Sequence, residues 1–178
     1  MTKKAFLVLC LCILALSCAF AGKLSTVGHF SPFALQSVNH TSGKYRSTYG
    51  YGFNGGVRYD VYNGITAGLD LNFDVYKYDE LESDYAVFGV RAVGGYIYSI
   101  SEKFFALGEL GVGIDNRSIG SLTQTFFAFG VDLGAGCVVS EEFKLTAGVG
   151  MDLAFQKGSS TKSTDLVFRT SLGVIFTP

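Results

Sequence analysis

The sequence contains no tryptophan and only two prolines, and three of its four cysteines lie in the first eighteen residues. Each scarcity excludes something. With Cys10, Cys12 and Cys18 in a leader, Cys137 stands alone, so neither an internal disulfide nor a zinc site of cysteines is available. The rarity of proline permits long uninterrupted strands. Charge of one sign is missing too: 14 Lys and Arg against 15 Asp and Glu leave no basic patch, which speaks against nucleic acid. Nearly half the residues are hydrophobic, yet beyond the leader no apolar run approaches the roughly 20 residues of a spanning helix. Motifs of known chemistry are also wanting. H-E-x-x-H, G-x-S-x-G and a phosphate-binding loop are not found, and the glycines of 108–113 open no helix. The expectation is no cofactor, no bound metal and no catalytic residue.

What is present begins with the leader. Lys3 and Lys4 precede an apolar stretch from Ala5 to Leu16, and Ala19-Phe20-Ala21 forms a small-residue cleavage site. This pattern predicts a signal peptide over 1–21 and a single mature domain over 22–178. Two alternatives stay open: an uncleaved anchor, and a lipoprotein-type signal in which Cys18, after Ala15-Leu16-Ser17, carries the lipid.

The mature chain alternates. In Leu145–Phe155, Leu145, Ala147, Val149, Met151, Leu153 and Phe155 share one face, while Thr146, Gly148, Gly150 and Asp152 lie on the other. Similar stretches predict strands over 24–36, 48–61, 65–78, 84–99, 103–116, 123–139, 143–157 and 164–176. Tyr62-Asn63-Gly64, Ile100-Ser101-Glu102 and Ser140-Glu141-Glu142 are tight connections, and Asn-Gly is a strong hairpin signal. The connections 37–47, 79–83, 117–122 and 158–163 are longer and more polar. Long and short connections thus alternate along the chain. The fold class expected is all-β: an eight-stranded antiparallel up-and-down transmembrane β-barrel.

Alternation alone leaves the direction of the faces undecided. A soluble lipocalin-like barrel would turn the apolar face inward. Here the large apolar residues fall on one face (Phe127, Phe129, Val131, Leu133, Phe168, Leu172), while glycines and ionised groups fall on the other. Lipid outside and charge inside suits that division. Tyr51, Tyr59, Tyr96, Tyr98, Phe104, Phe143, Phe155 and Phe176 lie near strand ends on the apolar face, as interfacial girdles would. Folding the strands back pairs Arg58 with Asp70, Arg91 with Glu109, and Arg169 with Asp152 and Asp132. Gly56, Gly68, Gly111, Gly130, Gly134, Gly148 and Gly150 leave room for the arginines. Eight strands enclose little more than their own side chains, so a plugged lumen is expected. Val87, Val93, Ile97, Val167 and Ile175 also fall on the inner face.

With Ala106-Leu107-Gly108-Glu109-Leu110-Gly111-Val112-Gly113 as a degenerate strand motif, the chain resembles the small eight-stranded outer-membrane β-barrel superfamily of OmpA/OmpX/Ail-like, porin-like proteins of diderm bacteria. Its end, Ser171-Leu172-Gly173-Val174-Ile175-Phe176, is similar to the signal by which assembly machinery recognises such barrels, although Thr177-Pro178 replaces a terminal aromatic. The resemblance implies an integral outer-membrane monomer that is not an enzyme. It implies contact with outer-membrane lipid and lipopolysaccharide, with the assembly machinery through the last strand, and with host or surface ligands through the loops. Two other functions stay open: a small transporter for apolar solutes, as in OmpW-like relatives, and an enzyme modifying lipid A. For the latter, His29 and Ser31 share a face of the first strand. His40 and Ser42 fall in the first long loop, and Asp79, Glu80, Glu82 and Asp84 surround the second. The same acidic loop raises the alternative of a divalent cation.

Overall fold

The computed structural model describes residues 24–40, 43–78, 84–120, 122–156 and 163–178. The leader, and with it the cleavage site and Cys18, lies outside them. The described chain consists of strands β1 (Leu24–His40), β2 (Gly43–Arg46), β3 (Tyr49–Tyr62), β4 (Ile65–Lys77), β5 (Tyr85–Ser99), β6 (Phe104–Ile119), β7 (Leu122–Val138), β8 (Phe143–Gln156) and β9 (Thr164–Phe176). Each of β3 to β8 pairs antiparallel with the next, and β1 pairs with both β3 and β9. The ring is closed, with β2 as a short prolongation of β3 that pairs back onto β1. This is the eight-stranded up-and-down barrel.

The tight connections follow from their residues. Asn63 and Gly64 both take positive φ, 46° and 83°, as a primed hairpin turn requires. The other two share one device. Ser101 Oγ accepts a hydrogen bond from the Phe104 amide at 3.2 Å, and Ser140 Oγ accepts one from the Phe143 amide at 3.1 Å. In each, a serine at the start of the turn ties down the first residue of the next strand.

Three boundaries differ from expectation. The segment 37–47 is not simply a loop, because Ser37–His40 pairs with Gly43–Arg46. The third long connection is shorter than 117–122, because β6 runs on to Ile119 and β7 begins at Leu122. β1 carries a bulge in its pairing with both neighbours, between Ser31 and Ala34 against β3 and between Phe30 and Ala34 against β9. Pro32 lies in it, at a place where a residue without an N–H costs least. The extra residue reverses the parity of the strand. Val27 and Ser31 point inward before the bulge, and Ala34 and Gln36 after it.

The faces are as the lipid reading requires. Leu69, Leu110, Leu133, Val149 and Leu172 are all 55 % or more exposed, whereas Asp115 and Asp165 are fully buried. A protein with its leucines outside and its carboxylates inside is inverted relative to a water-soluble barrel, and only a hydrocarbon surround makes that arrangement favourable. All the expected girdle aromatics lie on the outer face. Phe143 and Phe176 pack with ring centroids 4.9 Å apart at the short-turn end. Phe33, Tyr49 and Tyr51 form a chain of rings at the other, and Tyr49 Oη donates to the Pro32 carbonyl at 3.1 Å.

Candidate functional site

Among the described residues ionisable groups converge in the interior, where most of them fall into two clusters. In the first, Arg58 on β3 donates from Nε to Glu109 Oε1 on β6 at 2.6 Å and from Nη2 to Glu109 Oε2 at 3.1 Å. The same guanidinium holds Asp70 on β4, with Nη2 to Oδ2 at 2.9 Å and a second contact through Nη1. Asn54 Nδ2 adds a hydrogen bond to Asp70 at 3.2 Å.

The second cluster is a continuous ladder of alternating sign. Arg117 on β6 binds Asp165 on β9 and lies 3.3 Å from Asp115. Asp115 accepts from Arg91 on β5 at 3.0 Å, and Arg91 donates to Asp152 on β8 at 2.6 Å. Asp152 also binds Arg169 on β9, which reaches Asp132 on β7 at 2.8 Å. Asp115 and Asp152 are each shared by two arginines. A buried charge costs several kcal/mol when unpaired, so a chain in which each guanidinium meets two carboxylates is the arrangement such an interior tolerates. The strands supply the space. A Cβ added at Gly130 would lie 3.0 Å from Arg91 Nη1, and one at Gly150 would lie 3.0 Å from Arg169 Nε. Gly134 and Gly148 act differently from expectation. A Cβ at either would press on the neighbouring strand's backbone, so they allow β7 and β8 to approach.

Two of the expected pairs are present, Arg58 with Asp70 and Arg169 with Asp152 and Asp132. The third is corrected: Arg91 binds Asp115 and Asp152, and Glu109 binds Arg58. The β5–β6 register sets Arg91 opposite Gly113 and Glu109 opposite Gly95. Glu109 is therefore four residues along from Arg91, and its carboxylate reaches across the lumen. Asp115, Arg117 and Asp165 were not anticipated. Their parity with Glu109 and Arg169 was the available signal, but Arg117 lay in a predicted loop.

The long-loop end is sealed. Tyr76, Tyr78 and Tyr85 are buried with Ala34, Val87 and Val167, and the rings of Tyr76 and Tyr78 meet Tyr85 edge-on at 6.4 and 5.9 Å. Beneath them the polar groups close a network. Tyr78 Oη donates to Gln36 Oε1 at 2.7 Å, and Gln36 Nε2 donates to Asp165 at 3.0 Å. The Arg117 guanidinium lies 4.5 Å from the Phe126 ring centroid. The short-turn end is open, with a cavity of about 590 Å³ reaching inward to Arg58 and Glu109. The inner valines and isoleucines thus divide between the ends, Val87 and Val167 in the seal and Ile97 and Ile175 in the cavity wall.

The residues weighed for catalysis are not assembled. His29 lines the cavity and Ser31 is buried, but no hydrogen bond joins them and no described carboxylate bonds the imidazole. The side chain of His40, together with Ser42, Asp79, Glu80 and Glu82, lies outside the described residues. Among the described residues no group of three His, Cys, Asp or Glu side chains is placed to hold a metal. Cys137, a free thiol, faces outward between Phe104 and Leu145.

No protein-family model matches the sequence, and no curated protein does. Solved structures match in shape. Neisserial surface protein A aligns with 89 % of this chain and 99 % of its own at a TM-score of 0.60 and 16 % identity. The N-terminal β-barrel domain of Pseudomonas aeruginosa OprF aligns with 88 % and 98 % at 0.49 and 15 %. The attachment invasion locus protein Ail of Yersinia pestis, in complex with the heparin analogue sucrose octasulfate, aligns with 85 % and 98 % at 0.45 and 16 %. The likeness to the Neisserial protein establishes a shared fold, that of a small transmembrane barrel.

Proposed function

We propose that the protein is a non-enzymatic integral barrel of the outer membrane, exported by a cleavable signal over 1–21, and that it acts through its long loops. The observation carrying this reading is the sealed lumen. A barrel closed by three tyrosines above a ladder in which each arginine meets two carboxylates is a rigid stave for the loops and offers no passage through its axis. The charged interior also disfavours an apolar-solute transporter, which needs an apolar inner path. The barrel end that carries the connections β1 to β3, β4 to β5, β6 to β7 and β8 to β9 then faces the outside, where lipopolysaccharide and host or surface ligands are the available partners. The chain functions as a monomer, placed by the assembly machinery through β9.

Reconstitution into planar bilayers tests the reading. At most small, irregular currents are expected, and lipid A from expressing cells should keep its acyl pattern, with or without His29→Ala. Stable ion-selective channels would overturn the sealed barrel. A His29-dependent change in lipid mass would replace it with an enzyme.

A further inference from the structure

The short-turn cavity has a chemistry of its own. Its volume, about 590 Å³, is within the range of small-molecule sites, and a second hollow of about 330 Å³ shares Ile97, Ser99 and Lys144 with it. The wall between the two hollows is apolar: Val27, Leu107 and Ile175 line the larger, Phe105 and Val138 the smaller and Ile97 both, and the six pack as one cluster. Lys144 rises from β8 into this wall. Its register partners are Val138 and Ile175, and its ammonium lies 5.9 Å from the Phe105 ring centroid.

Lys144 forms no ion pair with a described residue. The other charges facing the cavity are otherwise placed. Arg58 and Glu109 hold each other. Asp60 is exposed on β3, and Glu102 is exposed on a turn at the edge of the second hollow. An unpaired cation on an otherwise apolar wall complements a ligand with one anionic group and a hydrocarbon body. We propose that this cavity binds a small carboxylate amphiphile of the medium-chain fatty-acid class, its carboxylate on Lys144 and its chain against Phe105, Ile97, Leu107 and Ile175.

The absence of tryptophan gives a clean test. Full-length protein in lipid nanodiscs carries Phe105→Trp as a reporter at the smaller hollow, and Leu145→Trp, on the outer face and lining neither hollow, reports on the lipid. Leu107→Trp is the second inner reporter should Phe105→Trp not fold. The ligand is a terminally brominated ten-carbon carboxylate, which quenches indole on contact. Both inner reporters should show saturable quenching at concentrations where Leu145→Trp shows only the linear background of partitioning. Adding Lys144→Met should weaken it about tenfold or more, Lys144→Arg should retain it, and the matching alcohol should be indifferent to both. Quenching no more saturable inside than outside would overturn the site. Equal binding of the trimethylammonium analogue would overturn the assignment of the charge, pointing to Asp60 in place of Lys144.

Discussion

The two ends of the lumen are built from the same strands and differ in how their charges are held. At the long-loop end Arg117 and Asp165 are almost wholly removed from solvent, under a lid of tyrosine rings. At the short-turn end Arg58 is equally buried, but its partner Glu109 retains 14 % of its side-chain exposure and faces a cavity. A fully enclosed pair has no solvent to replace a lost partner, whereas one beside a wet cavity does. The difference teaches where rigidity is invested. The end that presents the long loops is cross-tied by Gln36 of β1, Tyr78 just past β4, Tyr85 of β5, whose hydroxyl donates to Asp165 at 3.4 Å, Arg117 of β6 and Asp165 of β9. The end with three tight turns needs no such ties, because the turns themselves set the strand ends.

That contrast makes graded predictions. Arg117→Leu leaves Asp165 without its guanidinium in a closed space and should cost about 3–5 kcal/mol in a urea titration of the vesicle-embedded protein. The double change with Asp165→Leu should recover much of the loss, and strictly additive costs would show that the two are not coupled.

The outer belt should respond to lipid alone. Val149→Arg is expected to cost about 2–4 kcal/mol near the bilayer midplane, read by the fraction that shifts on an unboiled gel. The inward control must be chosen with care. Gly148→Ser, which the alternating pattern marks as mild, would bring a Cβ within 2.6 Å of the Leu133 carbonyl, so Thr146→Ser is the better control. Equal damage from Val149→Arg and Thr146→Ser would reverse the assignment of faces.

Glu109→Gln should cost less than the Arg117 change, about 1–2 kcal/mol, since Arg58 keeps Asp70 and water reaches the site. An effect as large as that of Arg117→Leu would erase the distinction between the ends. Smallest of all should be Tyr78→Phe, which gives up the hydrogen bond to Gln36 for about 0.5–1.5 kcal/mol while keeping the ring in place. Its effect should appear as faster amide exchange at the long-loop end with the short-turn end unchanged.

The barrel was legible because its signal is repeated. A period of two over every strand, with alternating turn lengths, determines class, order and facing together. Side-chain pairing was legible where partners lie on the same or neighbouring hairpins near register, as Arg58 and Asp70 do. It failed for Arg91 in two ways: Asp152 is on β8, across the lumen, and the exact β5–β6 register, which puts Asp115 and not Glu109 two residues from the position opposite Arg91, is not readable from the turn residues. Arg117 was hidden by the polar residues around it, which read as a loop although β6 continues through them. The bulge was equally hidden, because Pro32 disturbs the parity of a single strand by one residue.

That bulge has a consequence for how the cylinder is completed. β1 and β9 are the most distant strands in sequence, and their union is the step that turns a curled ribbon into a closed surface. A ribbon of alternating glycine and apolar residues has many near-equivalent ways to meet its own edge. Pro32 removes the degeneracy. Were β1 to slip along β9, the missing donor would fall in a regular stretch of ladder, and a carbonyl would be stranded against hydrocarbon with no water to receive it. The seam is keyed, and a single imino acid selects the alignment at which the first and last strands lock.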